Sequence, residues 1–188
     1  NEPGVRQDFN EDALYRFRSF LRNKYNNNIQ ELNKTWGTAF WSQIYSSFAQ
    51  INFPLPSNWG QNPHQMLDFR RFNAYQTASF LDEQAAEIRK FSNSDQWITS
   101  NYIPDYQAGH IGLSKLFDFY SYTRYIVSGG LGIGQKGYRI GDPMLIPFAN
   151  DFFRPIGGIY GVMELQPGQV NWGSINPQPY PGAVRLWL

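Results

Sequence analysis

The chain has 188 residues, with 16 Lys+Arg against 15 Asp+Glu, two His and no Cys. That length allows one domain with a sizeable core but falls short of the roughly 250 residues of a complete (β/α)₈ barrel. The near-neutral charge argues against a nucleic-acid or anionic-membrane partner, and the missing Cys excludes a disulfide scaffold, a thiolate zinc site and a cysteine nucleophile.

In chain order, Asp8-Phe9-Asn10-Glu11-Asp12 offers capping oxygens and first-turn acids. Leu14, Phe17, Leu21 and Tyr25 then recur at helical spacing, which predicts an amphipathic helix of about four turns stopped by Asn26-Asn27-Asn28. Ile29, Leu32 and Trp36 predict a second, short helix that Gly37 ends. Residues 37–62 read as a long irregular insertion carrying Trp41, Tyr45, Phe48, Trp59 and two prolines, a length that usually marks function or an interface. Asn62-Pro63 looks like an N-cap followed by proline at the first helical position, opening a helix from His64 to about Ser92. Trp97-Ile98-Thr99 reads as a short buried strand ending near Asn101, and Leu116 to Tyr122 as another. Gly129 to Gly141, within a loop over 128–142, is glycine-rich; Ile159 to Leu165 reads as a third strand, and a last helix starts at Pro181.

Strands separated by helices or long loops argue for an α/β chain with a parallel sheet and crossovers, forming one domain or a piece of one. The strands are short and apolar on both faces, as barrel strands are. In a barrel the C-terminal ends of strands build the active site. Those positions here are Asn101, Tyr122 to Tyr125, and Glu164. A Glu closing a run of Val and Met is a costly place for a charge unless it has work to do.

Aromatic residues make up 18% of the chain and charged ones only 16%, against about 25% charged in an average soluble domain. A large core explains many of these rings; a sugar cleft is the sharper alternative, since pyranose C–H faces pack on rings while hydroxyls need amides and carboxylates. Several other motifs carry less. Gly132-Ile-Gly134-Gln-Lys-Gly137 matches the dinucleotide fingerprint, but the following Tyr138-Arg139-Ile140-Gly141-Asp142-Pro143 cannot start the helix that such a site requires. The sequon Asn33-Lys34-Thr35 lies inside a helical stretch, His64 reads as a surface residue, and His110 has no assigned role. The two His stand far apart, no apolar run reaches the length of a membrane span, and no secretory signal is visible. Two acids stand out from the rest, Glu2 after an Asn and Glu164 at a strand end. Glycoside cleavage with retention needs two carboxyl groups about 5–5.5 Å apart. On the residues alone, any two of the fifteen acids could be proposed.

The segments LNKTWGTAFWSQIY (32–45), NPHQMLDFRRF (62–72), ITSN (98–101), VMELQPGQVNW (162–172) and NPQPYPGAVRLW (176–187) together resemble family 42 of the glycoside hydrolases, the β-galactosidases. The resemblance runs in the family's order over nearly the whole chain. It implies a (β/α)₈ TIM barrel of which residues 1–188 would supply strands four to seven, within a single catalytic domain. It further implies a retaining β-galactosidase in which Glu2 is the acid/base, Glu164 the nucleophile, and Asn1 a partner for a substrate hydroxyl. Trp172 matches the aromatic that lines the family's galactose pocket, and Trp41 a tryptophan that reaches a neighbouring subunit's pocket in a homotrimer. Tyr125, or alternatively Tyr122, would donate a hydrogen bond to Glu164. The expected partner is a carbohydrate, with no nucleic acid, no membrane and no cofactor. The alternatives are the same machinery on another glycoside, such as an α-L-arabinopyranoside, or a sugar-binding barrel without turnover. Two departures stand out: the chain has no Cys for the zinc that many members carry, and Ser121-Tyr122-Thr123-Arg124-Tyr125-Ile126 stands where the family commonly reads Ser-Trp-Asp-x-Tyr-Pro.

Overall fold

The structure, a computed structural model, describes residues 7–40, 42–54, 60–103, 110–125, 144–165 and 178–187. Asn1, Glu2, Trp41, Trp172 and the glycine-rich segment 129–141 lie outside the described residues. The chain divides into two units, with the boundary between Ala78 and Ser79.

The first unit is helical. Asn10 accepts the backbone N–H of Ala13 at 2.8 Å and starts α1 (Glu11–Lys24), which buries Ala13, Phe17 and Leu21. Asn28 caps α2 (Ile29–Trp36) in the same way, and Gly37 ends it with φ +60°, a left-handed conformation that suits a residue without Cβ. Inside α2, the Asn33 amide donates to the Tyr45 carbonyl at 2.7 Å and accepts the Tyr45 N–H at 3.0 Å, so the sequon residue latches the following loop. Among its described residues, the 37–62 insertion is irregular apart from a 3₁₀ turn at Phe48–Gln50. Asn62 accepts from the N–H groups of His64 and Gln65 and opens α3 (Pro63–Arg89) as expected; exposed His64 is a surface residue. Phe17, Phe53 and Phe69 pack with ring centroids 5.3–5.9 Å apart, and Leu21, Leu32 and Ile51 complete a dry core around them.

The second unit holds a three-stranded parallel sheet in the order β1 (Asn101–Tyr102), β2 (Tyr120–Arg124), β3 (Tyr160–Leu165). The parallel arrangement and the third strand match the sequence reading, but the first two strands sit further along the chain than expected. Trp97-Ile98-Thr99 is not a strand. The Ile98 N–H goes to the Asp118 carboxylate at 2.6 Å, its carbonyl accepts the Asp118 N–H at 3.0 Å, and the Thr99 hydroxyl donates to the Phe119 carbonyl at 2.7 Å. Side chains make two of these three bonds, so no regular ladder forms there. Nor is Leu116–Asp118 part of β2, because the Asp82 carboxylate takes the N–H groups of Lys115 and Leu116 and holds that segment in a bend.

Helix α4 (Leu145–Gly157) was not expected from the sequence. Pro147 falls in its first turn, where a backbone N–H has no intrahelical partner, and Pro155 falls in its last. The prolines hide a regular apolar spacing, Ile146, Ala149 and Phe153, all buried. These residues join Leu81, Tyr102, Tyr120 and Tyr122 in the second core, where the Tyr122 and Phe153 rings stack at 5.3 Å. The short α5 (Ala183–Trp187) follows Pro181 as predicted. Among the described residues, no helix is long and apolar enough to cross a membrane.

Candidate functional site

The central strand sorts its side chains by face, as alternation requires. Tyr120 and Tyr122 turn toward α4 and the aromatic core. Tyr122 is wholly buried, its hydroxyl donates to the Asn150 side chain at 2.6 Å, and burial together with Tyr160 pushes its pKa up to about 12 against an opposing effect of Arg124. The Tyr122 phenol is therefore a core group, and it does not touch Glu164. Ser121 and Thr123 occupy the opposite face. The Ser121 hydroxyl donates to the Ser100 carbonyl at 2.7 Å, and the Thr123 hydroxyl donates to Asn101 Oδ1 at 2.6 Å.

These two small side chains, both buried, leave room above β2 for groups from its neighbours to meet. Asn101 reaches over from β1 and Glu164 from β3, and Asn101 Nδ2 donates to Glu164 Oε1 at 3.2 Å. Tyr125, one residue past β2, donates its hydroxyl to Glu164 Oε2. The structure thus brings together three residues far apart in sequence, Asn101, Tyr125 and Glu164.

An irregularity in β3 aims the glutamate. Ser121 stands level with Gly161 and Tyr122 with Val162, but the next pair is Thr123 with Glu164, so Met163 is an extra residue. Counting by twos from Val162, Glu164 would share the side of Tyr122 and the aromatic core. The slip returns it to the side of Thr123, where Asn101 lies; a one-residue shift exchanges the two faces. Gly161 contributes to the same geometry. A Cβ there would come within 3.0 Å of the Phe119 ring and 3.3 Å of Ser121 Cβ.

Chemically the result is a carboxylate with both oxygens held by neutral donors, while the residue stays exposed. Both donors are neutral, so they orient the carboxylate without the neutralisation a salt bridge brings. Such a group is oriented and reachable, which is what a nucleophile or a base requires. Among the described residues, no cluster of three His, Asp or Glu side chains could hold a metal ion. Of the residues singled out in the sequence, Asn1, Glu2, Trp41 and Trp172 lie outside the described set. His110 is buried against the Tyr102 ring in the core rather than in this site. Sequence reasoning placed Thr123 within the strand-end range Tyr122 to Tyr125 but gave it no role; its signal was the alternation of small hydroxyl residues with tyrosines along β2.

Comparison with known proteins places the chain in a family. The family model for glycoside hydrolase 42, described as Beta-galactosidase, matches residues 1–188. A Beta-galactosidase of Thermus thermophilus is 36% identical over 183 residues, covering 91% of this chain and 27% of that protein. The chain thus spans about a quarter of the length of the curated relatives it matches. Among solved structures, a beta-galactosidase from the psychrophilic Marinomonas ef1 superposes with a TM-score of 0.81 at 33% identity, covering 96% of this chain and 29% of that one. The beta-galactosidase of the Antarctic haloarchaeon Halorubrum lacusprofundi gives 0.80 at 32% identity, over 97% and 28%. With a family model matched from end to end and a fold shared with these solved structures, the chain belongs to glycoside hydrolase family 42.

Proposed function

We propose that this chain is the central portion of a (β/α)₈ barrel, strands four to seven, in a retaining glycosidase that releases terminal β-D-galactose. The observation that carries this reading is Glu164 at the C-terminal end of a parallel strand, held on both oxygens by Asn101 and Tyr125 and open to solvent.

In the first step the Glu164 carboxylate attacks the anomeric carbon, forming a glycosyl ester as the bond to the leaving oxygen breaks; that oxygen takes the proton of Glu2. In the second step the Glu2 carboxylate removes a proton from water, whose oxygen attacks the same carbon and releases Glu164. Asn1 would hold a substrate hydroxyl through the oxocarbenium-like transition state, and Trp172 and Trp41 would pack on the sugar's apolar face. The role of Trp41 includes a contact to a neighbouring subunit in a homotrimer. Tyr125 and Asn101 hold Glu164 aimed, whereas the burial of Tyr122 gives it a structural role.

The test is Glu164→Ala in the intact protein that carries this segment. Turnover of an aryl β-galactoside should fall about 10³-fold or more, and azide should restore it with inverted product. Turnover that persists in the variant removes the assignment. A panel of aryl glycosides, with α-L-arabinopyranoside beside β-galactoside, reads out the sugar.

A further inference from the structure

We infer that the long insertion of the helical unit carries a binding site for a neutral saccharide, built from amide side chains. The site shares no residue with the Glu164 cluster, and the inference does not rest on Glu164 being the nucleophile. A cleft of about 540 Å³ opens between the insertion and the start of α3. That volume falls within the roughly 300–1,000 Å³ of small-molecule sites. Four amides on its wall have one end committed, and the partner fixes which end. A carbonyl only accepts, so Gln65 spends its NH₂ on the Asn52 carbonyl at 2.9 Å, and Gln61 on the Pro54 carbonyl at 2.9 Å. An N–H only donates, so Gln50 spends its Oε1 on the Ser46 N–H at 2.8 Å, and Asn52 its Oδ1 on the Arg18 guanidinium at 3.3 Å. The side-chain oxygens of Gln61 and Gln65 and the NH₂ groups of Gln50 and Asn52 have no further partner among the described residues. Gln65 is 8% exposed, so its unspent oxygen is a nearly buried acceptor on the cleft wall.

The committed ends also tie the wall segments to one another, so the cleft is preformed. Asn62 adds a bond from its NH₂ to the Trp36 carbonyl at 2.9 Å, and Asn33 grips Tyr45 through both backbone groups. The chemistry of the wall selects the ligand. Among the described residues that line the cleft, none is charged, so an ionic ligand would find no counter-charge there. An apolar ligand would strip water from the unspent amide ends and give them no partner. A sugar hydroxyl both donates and accepts, and so satisfies the oxygens and the NH₂ groups alike. Tyr45, half-buried and set edge-on against Trp36 at 6.2 Å, and Ile44 offer apolar surface to the C–H groups of a pyranose.

The experiment titrates the intact protein with thiolactose, a neutral disaccharide whose sulfur bridge resists glycosidases, and counts sites by equilibrium dialysis. Wild type should bind two molecules per chain, one at the cleft and one at the Glu164 site. Gln65→Met removes the buried acceptor while keeping the length of the side chain, and should weaken one of the two sites about 10-fold. Gln43→Ala trims an exposed wall residue whose side chain has no partner among the described residues, and should weaken the same site about 3-fold. It decides the matter should Gln65→Met not fold. Thiolactose binding that neither variant changes overturns the cleft and leaves the galactosidase reading intact. A single site per chain that both variants weaken upholds the cleft and counts against sugar binding at Glu164. A cleft covered by a second copy of the chain would show as an oligomeric state that Gln43→Ala alters, with thiolactose bound at one unaffected site, and that result overturns the saccharide assignment.

Discussion

Asp68 and Glu164 are both held by hydrogen bonds, and they are held differently. Asp68, in the helical unit, is 2% exposed and accepts from Tyr25 at 2.6 Å, Trp36 at 3.0 Å and Arg71 at 3.3 Å, with Lys24 as a further partner. Burial on its own pushes its pKa up; the hydrogen bonds from Lys24, Tyr25 and Trp36, with the charge of Lys24, more than reverse this and hold it below the usual carboxylate range. A carboxylate offers about four acceptor sites, and Asp68 has filled them. Glu164, in the sheet unit, accepts from two neutral donors and remains exposed. The first arrangement ties α1, α2 and α3 to one buried ion and leaves it no capacity for chemistry. The second aims a carboxylate and keeps it available.

Exchanging the insults should separate the two roles. Beside the loss of turnover expected for Glu164→Ala, its melting temperature should stay close to wild type, since an exposed side chain is removed. Asp68→Ala should do the reverse: it strands Lys24 and leaves the buried Tyr25 and Trp36 donors without their acceptor, costing about 3–5 kcal/mol in denaturant unfolding. The folded fraction of that variant should still turn over normally. A stable Asp68→Ala would mean that this buried network contributes little to the fold.

Finer cuts sharpen the contrast. Tyr125→Phe removes one of the two donors to Glu164. A hydrogen bond to a charged group contributes about 1.5–3 kcal/mol, so kcat/KM should fall about 10- to 100-fold with unfolding unchanged. Gly161→Ala pushes a methyl against Phe119 and Ser121 and should lower stability by about 1 kcal/mol, measured by thermal melting. The smallest effect concerns acid. Because the folded pKa of Asp68 lies below its ordinary value of 3.8, its contribution to stability is complete above that value and is lost as pH falls below it toward the folded value. Asp68→Asn should therefore flatten the decline in melting temperature below about pH 4 relative to wild type.

Much of this architecture was legible in the sequence where local signals are strong. Asn10 and Asn62 announced their helices because a capping side chain acts on the residues immediately after it. Glu164 stood out because a charge ending an apolar strand is expensive. The strand starts were harder to read. Asp82 and Asp118 bend the backbone ahead of β2 through contacts 20 to 34 residues away, which no local pattern encodes. Helix α4 was hidden by its prolines: Pro147 sits in the first turn, where it costs little, but Pro155 lies inside the helix, where proline is ordinarily a breaker. The choice between Tyr122 and Tyr125 turned on strand parity. Tyr122 within β2 and Tyr125 just past its end have the same chemistry in sequence and opposite surroundings in space.

The most direct test of the account is to trap the covalent intermediate. Incubating the intact protein with an activated 2-fluoro-β-galactoside should add one sugar to the protein, and peptide mass spectrometry should locate it on Glu164. A label on any other residue, or steady hydrolysis of galactosides in a protein that never acquires the label, would contradict the assignment of Glu164 as the nucleophile.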